Sequence, residues 1–135
     1  MKATLKSIGH IITPYNSIED CPKNIVPNGP LCQLVIDCDF QDGLSGLVPG
    51  QKILILYWFE NTDRNITKQE ISDEKMTGTF SLRSPHRPNP IGAAVLSIEN
   101  MEAGKVFVKG LDCLNGTHLL DIKPAVLHEN NQKTT

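Results

Sequence analysis

The chain has 135 residues, of which 39% are hydrophobic and 21% charged, with a formal net charge of −2. This composition is typical of a single soluble globular domain and argues against general disorder. The longest apolar run, Ile53–Phe59, is too short to span a bilayer, and the N-terminus has no signal-peptide pattern. We therefore expect a cytoplasmic protein without membrane contact. The slightly acidic charge argues against a dedicated nucleic-acid binder but leaves room for a local basic patch.

Short runs rich in β-branched residues, separated by turn residues, predict the strands. In chain order they are Leu5–Thr13, Leu31–Cys38, Lys52–Phe59 (read as buried on both faces), Gly78–Arg83, Ala93–Met101, Lys105–Leu111 and His118–Lys123. Phe40–Leu47 is the best candidate for a short helix, and Gly104 suits a hairpin turn. About seven strands with little helix predict an all-β fold, a small closed or nearly closed β-barrel, because closure removes exposed sheet edges.

The remaining segments set the limits of this predicted domain. Its core is expected to run from about residue 5 to residue 124, followed by a polar tail over 125–135. The polar segment Glu60–Thr77 is either a functional lid or simply mobile. We therefore predict a single domain over residues 1–135, and the sequence contains no internal repeat.

Several familiar site patterns are missing from the sequence. The four cysteines form no C-x-x-C pair and have no histidine at ligand spacing, so neither a metal site nor a disulfide framework is predicted. There is no G-x-G-x-x-G fingerprint, Walker A loop, G-x-S-x-G elbow or H-E-x-x-H motif. The chemistry must therefore be sought in less common patterns.

The ten residues RSPHRPNPIG, Arg83–Gly92, stand out because they combine three prolines with two arginines. Each proline fixes its own φ and restricts the residue before it, so the backbone is nearly predetermined. Arg83 and Arg87 carry guanidinium forks that suit a carboxylate or a phosphate, and the Asn89 amide can serve a ligand or brace the turn. The loop is either a preorganised binding element or a rigid connection whose arginines pair with acidic neighbours.

A second stretch, LDCLNGTHLLDIKP over Leu111–Pro124, contains a turn and then a strand. Asp121 and Lys123 are two residues apart and therefore lie on the same face of that strand. They are either a surface ion pair of little energetic value or contacts for a ligand.

Together these two stretches resemble the TsaA-like, or TrmO, family of S-adenosylmethionine-dependent tRNA N6-threonylcarbamoyladenosine methyltransferases. The hallmark G-x-F-x-x-R-S-x-x-R-P-N-P-I-G matches residues 78–92 at every fixed position. The second hallmark, L-D-x-x-D-G-T-P-x-x-D-I-K-P-Y, is met at Leu111, Asp112, Gly116, Thr117, Asp121, Ile122, Lys123 and Pro124. IGHIITPY, residues 8–15, is similar to the family's opening, so the resemblance covers residues 8–124.

The resemblance implies a short, single-domain β-barrel methyltransferase that binds S-adenosylmethionine, works as a homodimer and uses tRNA as a possible acceptor. The implied cofactor contacts are Pro22, Lys23, Asn24, Glu60, Asn61, Arg83, Lys109, Gly110, Leu111 and Asp112. The implied substrate contacts are His86, Arg87, Asn89 and Lys123, and Asp121 is the candidate proton acceptor for the transfer.

Departures from the family pattern bear mainly on the acceptor. Asn115 stands where Asp is usual, His118 where Pro is usual, Ala125 where Tyr is usual and Glu60 where His is common, and Lys23-Asn24 replaces Arg-Gln. Three functions stay open: methylation of the modified adenosine beside a tRNA anticodon, methylation of a small molecule or protein by the same fold, and a cofactor-binding module without catalysis.

Overall fold

The computed structural model describes residues 1–126, so the predicted tail lies outside the described residues from 127 onward. The strands are β1 Gly9–Ile12, β2 Leu31–Ile36, β3 Lys52–Trp58, β4 Lys68–Ser72, β5 Lys75–Gly78, β6 Ile91–Ser97, β7 Asn100–Glu102, β8 Lys105–Lys109 and β9 Thr117–Pro124. The helices are short 3₁₀ turns at Ile18–Asp20, Cys38–Leu44 and Thr79–Ser81. The all-β class with little helix is confirmed.

Seven strands form one antiparallel sheet in the order β6-β3-β9-β1-β2-β8-β7, and β4 and β5 form a separate hairpin. The two outer strands of the sheet, β6 and β7, are joined by only Ile98 and Glu99. The Ile98 amide donates to Gln51 beside β3, and the Glu99 amide donates to Phe107 of β8. The sheet therefore curls until its edges approach, but no closed barrel is found in the pairings of residues 1–126.

The core lies inside this curl and is made by alternate residues of neighbouring strands. Ile53, Ile55 and Tyr57 of β3 point inward and are at most 1% exposed. They pack with Ile11, Leu34, Val106, Val108, Leu111 and Leu119. Leu54, Leu56 and Trp58, on the other face of β3, are only half-buried, so the prediction of a strand buried on both faces was wrong.

The structure corrects two more predicted strands. Gly78–Arg83 is not a strand, because β5 ends at Gly78 and the chain turns into the 3₁₀ helix Thr79–Ser81. Ala93–Met101 is two strands, since the chain leaves β3 at Ile98 to pair with β8. The hairpin turn at Gly104 is confirmed by its φ of 71°.

Candidate functional site

A pocket of about 480 Å³ opens beside β6, where the loop Arg83–Gly92 (the signature loop below) meets the segment after β8. Its apolar wall comes from Ile25, Leu54, Phe59, Ile91, Ala93 and Val95. Its polar lining comes from Asn24, Arg83, Arg87 and Asp112. A concave apolar pocket of roughly 300–1,000 Å³ with a few polar groups is the usual form of a small-molecule site.

Tyr57 and Asp112 connect the core to the pocket. The buried Tyr57 hydroxyl donates to Asp112 Oδ1 at 2.5 Å. Burial raises the pKa of Tyr57 well above its usual range, and the nearby carboxylate raises it further. Burial also raises the pKa of Asp112, although the Tyr57 hydrogen bond and the Arg83 charge oppose this shift. Asp112 is thus a fixed, partly desolvated acceptor in the pocket wall.

Arg83 occupies the side of β6 that faces away from β3. Its Nη2 donates to the Ala93 carbonyl at 2.5 Å. Because β6 is an edge strand, this carbonyl has no partner strand within residues 1–126, and the Arg83 guanidinium fills that place. Arg83 and Asp112 carry opposite charges and interact electrostatically. The pocket therefore presents a donor fork and a carboxylate acceptor close to each other.

Two glycines allow the close approaches on which this wall depends. A Cβ on Gly92 would lie 2.4 Å from Cε2 of Tyr57 and 2.7 Å from Cε2 of Phe59. A Cβ on Gly110, whose φ is 91°, would lie 2.0 Å from the Val26 carbonyl oxygen. Gly92 thus leaves space for the aromatic rings, and Gly110 lets the segment before Asp112 pack against Val26.

Arg87 and Arg64 brace the signature loop from two sides. Arg87 Nη2 donates to the carbonyls of Thr79 at 2.6 Å and Leu82 at 2.8 Å, which closes the 3₁₀ turn before the loop. Arg64 Nε donates to the Pro88 carbonyl at 2.7 Å, and its Nη2 donates to Asn89 Oδ1 at 3.2 Å. The Arg64 guanidinium also lies 5.1 Å from the centre of the Trp58 ring.

Three further contacts hold the loop at His86. The His86 carbonyl accepts from Gln69 Nε2 at 3.0 Å and from the buried Thr79 hydroxyl at 2.8 Å. The Asp63 amide donates to His86 Nδ1 at 3.1 Å. Glu60–Thr77, left open as a lid or a mobile segment, includes Asp63, Arg64 and Gln69 and so serves as the outer support of the loop.

Three of the predicted cofactor contacts line the pocket, namely Asn24, Arg83 and Asp112. Gly110 and Leu111 directly precede Asp112, and Leu111 is fully buried in the core. These two residues position the wall.

The other predicted cofactor contacts lie outside the lining. They are Pro22 and Lys23 before Asn24, the exposed pair Glu60 and Asn61 after β3, and Lys109 at the end of β8. Lys109 Nζ lies 3.9 Å from Glu99 Oε1 as a surface ion pair. The predicted segments therefore reach the pocket, but several of the residues predicted in them lie outside its lining.

Only one of the residues predicted to contact the methyl acceptor lines the pocket. Arg87 lines the pocket, whereas His86 and Asn89 lie on the exposed side of the loop. Asp121 and Lys123 are on β9, outside the lining, and form an ion pair with Nζ–Oδ2 of 2.8 Å. The structure thus favours a surface pair over a place in the pocket for Asp121.

Sequence reasoning missed four residues that shape the site. Tyr57 and Phe59 looked like ordinary strand residues, and Arg64 and Gln69 lay in a polar segment without a recognisable pattern. One sequence signal for the aromatic pair was Gly92, whose missing side chain leaves room for both rings. Nothing in the local sequence indicated Arg64.

Two kinds of feature are absent from residues 1–126. No helix in this part of the chain is long and apolar enough to cross a membrane. No group of three or more His, Cys, Asp and Glu side chains in it is arranged around a metal position.

The chain matches known proteins over nearly its whole length. Residues 10–129 match the family model of the tRNA-methyltransferase O N-terminal domain. A probable S-adenosyl-L-methionine-binding protein VirR of Rhizobium radiobacter is 42% identical over 90% of this chain and 70% of that protein. The human tRNA (adenine(37)-N6)-methyltransferase is 32% identical over 87% of this chain and 31% of that protein.

A solved TrmO structure superposes with a TM-score of 0.80 at 26% identity and covers 100% of this chain. The chain spans 62% of the length of that solved protein. These matches confirm the resemblance seen in the two hallmark stretches. The chain belongs to the family defined by the N-terminal domain of tRNA-methyltransferase O.

Proposed function

We propose that the chain is an S-adenosylmethionine-dependent methyltransferase that acts on the N6 of adenine 37 in tRNA. The observation that carries the proposal is the pocket of about 480 Å³. The family's hallmark loop forms one of its walls, and its lining contains a cationic group, Arg83, and an anionic group, Asp112. The name of the human relative, tRNA (adenine(37)-N6)-methyltransferase, supports the choice of acceptor.

The lining fits this cofactor in size and in chemistry. The apolar side chains around Phe59 suit an adenine ring, and the Arg83 fork suits a carboxylate. Asp112 suits the ammonium of the same amino-acid group, because its free oxygen is an anionic acceptor. When bound, S-adenosylmethionine supplies an electrophilic methyl group on a sulfonium.

The chain's own residues contribute mainly position and exclusion of water. A loop held by Arg64, Gln69 and Arg87 needs little ordering when the acceptor arrives, which lowers the entropic part of the barrier. Transfer breaks the S–CH₃ bond and forms an N–CH₃ bond, and the N6 proton leaves to a base or to water. Asp121 is a proposed base because a carboxylate can take the N6 proton, but its ion pair with Lys123 favours a purely structural role on the surface.

A threonylcarbamoyl group on the acceptor is the finer part of the proposal. That group carries a carboxylate and a hydroxyl, and the outer side of the signature loop offers matching donors. His86 and Asn89 use Nδ1 and Oδ1 as acceptors within the fold, which leaves Nε2 and the amide Nδ2 for an incoming group. Lys123 and Arg87 add positive charge for neighbouring phosphates.

We also propose that the protein is a homodimer with the pocket near the interface. Phe80, in the 3₁₀ helix before the signature loop, is 81% exposed, and Ile91, which lines the pocket, is 38% exposed. Large exposed apolar side chains are candidates for an interaction surface. A second copy that covers them would also shield the pocket from water.

The test is transfer of a labelled methyl group from S-adenosylmethionine to tRNA, with nucleoside mass analysis. The substrates are tRNA that carries threonylcarbamoyladenosine and the same transcript without the modification. Arg83→Ala should abolish labelling, while Lys52→Ala, an exposed change outside the pocket lining, should not. Labelling of both tRNAs would show that the enzyme does not need the threonylcarbamoyl group on its acceptor.

Two results would favour the other functions. Labelling of a small molecule or a protein but not of tRNA would indicate a different acceptor. Cofactor binding without transfer to any acceptor would indicate a binding module, a function suggested by relatives named S-adenosyl-L-methionine-binding protein.

A further inference from the structure

Two exposed histidines lie side by side on the surface, outside the pocket. His10 of β1 and His118 of β9 are directly opposite each other in the register. Both are exposed, and neither lines the pocket. On the other side of His10 the partner residue on β2 is the apolar Val35, which brings no competing charge.

His10 and His118 form a non-hydrogen-bonded pair of the antiparallel strands, the kind of pair in which the Cα atoms are closer together. The Asp37 amide donates to the Ile8 carbonyl, and continuing that register by two residues makes His10 and Val35 a hydrogen-bonded pair of β1 and β2, although the Ile8 amide itself donates to Leu119 of β9. His10 therefore exchanges no main-chain hydrogen bonds with His118. Such non-hydrogen-bonded pairs have Cα atoms about 4.5 Å apart, with their side chains close together on one face.

Ser7 contacts both the Gly9 carbonyl and the His118 ring. The Ser7 oxygen lies 2.9 Å from the Gly9 carbonyl oxygen and 2.9 Å from His118 Nδ1. When the hydroxyl donates its one hydrogen to Gly9, its oxygen can only accept from His118, and Nδ1 is then the ring nitrogen that carries the proton. Nε2 is left with a free lone pair, and a hydrogen-bonded opposite nitrogen is the arrangement found in metal-ligating histidines.

We propose that His10 and His118 form a two-imidazole site for a borderline divalent transition ion such as Ni²⁺, Zn²⁺ or Cu²⁺. Neutral imidazole nitrogens suit these ions, while Mg²⁺ and Ca²⁺ prefer oxygen ligands. With two protein ligands the remaining coordination positions are taken by water. The site lies apart from the residues proposed for methyl transfer and does not depend on that proposal. Ser7 is its positioning residue.

The test is calorimetric titration of the tag-free chain with Ni²⁺, in a Cys38→Ser background because the exposed Cys38 thiol competes for soft ions. We expect one ion per chain, and loss of that binding in His10→Ala and in His118→Ala. Ser7→Ala should weaken binding by about 10-fold, as changes behind a ligating histidine do. His86→Ala, which removes a histidine elsewhere on the surface, should bind as before.

Imidazole nitrogen chemical shifts measured with Zn²⁺ provide an independent readout. A shift at His118 Nε2 with Nδ1 still protonated would match the predicted tautomer. Unchanged affinity in either His10→Ala or His118→Ala, or no binding to the background chain, would overturn the site.

Discussion

The Tyr57 hydroxyl donates to Asp112 Oδ1 at 2.5 Å and thereby joins the centre of the core to the wall of the pocket. Tyr57 is 1% exposed, so its hydroxyl needs a partner inside the protein. The carboxylate that satisfies it is also the anionic group of the candidate site. Stability and ligand binding are therefore coupled through one side chain.

The first prediction concerns Asp112→Asn. Because the pKa of Asp112 is raised in the folded state, the native protein holds its proton more tightly than the unfolded chain. The stabilising contribution of Asp112 is thus present at acid pH and lost as pH rises above the ordinary aspartate pKa of about 3.9. We therefore expect the natural chain to lose stability relative to Asp112→Asn between about pH 4 and pH 7, as measured by the difference between their free energies of unfolding.

The same variant separates stability from binding. Asn keeps an oxygen acceptor for Tyr57 but loses the negative charge, so S-adenosylhomocysteine should bind more weakly while methylthioadenosine, which lacks the amino-acid group, binds as before. Urea unfolding and calorimetry measure the two effects. Equal weakening for both ligands would contradict the pairing of Asp112 with the ligand's ammonium group.

The second prediction concerns Gly92→Ala. The added Cβ would lie 2.4 Å from the Tyr57 ring and 2.7 Å from the Phe59 ring, so the rings or β6 must shift to make room for it. Overpacking of this kind destabilises proteins by about 1–3 kcal/mol, and urea unfolding measures it. Gly43→Ala is the matched control, because a Cβ there meets nothing within 4 Å. Equal stabilities of the two variants would show that the ring moves without cost.

The third prediction concerns Arg64→Ala and Arg64→Lys. Alanine removes two hydrogen bonds to the signature loop and the contact with Trp58, and lysine can retain only the charge and the ring contact. The net loss in the alanine variant should be about 1–2 kcal/mol, since single hydrogen bonds contribute about 1 kcal/mol. Amide exchange at 83–92 should become faster in both variants.

The control for that experiment is amide exchange in β2 and β8, since the hydrogen bonds and the ring contact of Arg64 go to Pro88, Asn89 and Trp58. Exchange there should stay unchanged if Arg64 acts on the loop alone. Faster exchange throughout the sheet would indicate general destabilisation, and unchanged exchange over 83–92 would contradict the bracing role.

The fourth prediction concerns Phe80→Ser. If Phe80 lies in a homodimer interface, sedimentation should show a monomer, or a dimer that dissociates at higher protein concentration than the natural chain does. Ile18→Ser replaces another apolar side chain that is 75% exposed and should leave the sedimentation unchanged. A monomeric natural chain would remove the dimer from the proposal.

The sequence by itself determined the all-β class and the family, and it pointed to the loop that walls the candidate pocket. β-branched runs ending at turn residues locate strands because such side chains suit a pleated, half-buried surface, and Gly104 adopts the positive φ that the hairpin turn needs. The hallmark residues 78–92 identified the loop because its prolines restrict the backbone without help from the rest of the chain.

Only the tertiary structure decided which side chains face the pocket and which of them brace it. Arg83 and Arg87 look alike in the sequence, yet Arg83 lies at the edge of β6 while Arg87 closes the turn at Thr79. The strand predicted at Gly78–Arg83 failed because the Arg87 guanidinium, a few residues further along the chain, donates to the Thr79 and Leu82 carbonyls and closes a turn there. Long-range contacts select among conformations that local preference leaves nearly equal in energy, so residues such as Arg64 and Tyr57 acquire their roles only in the folded chain.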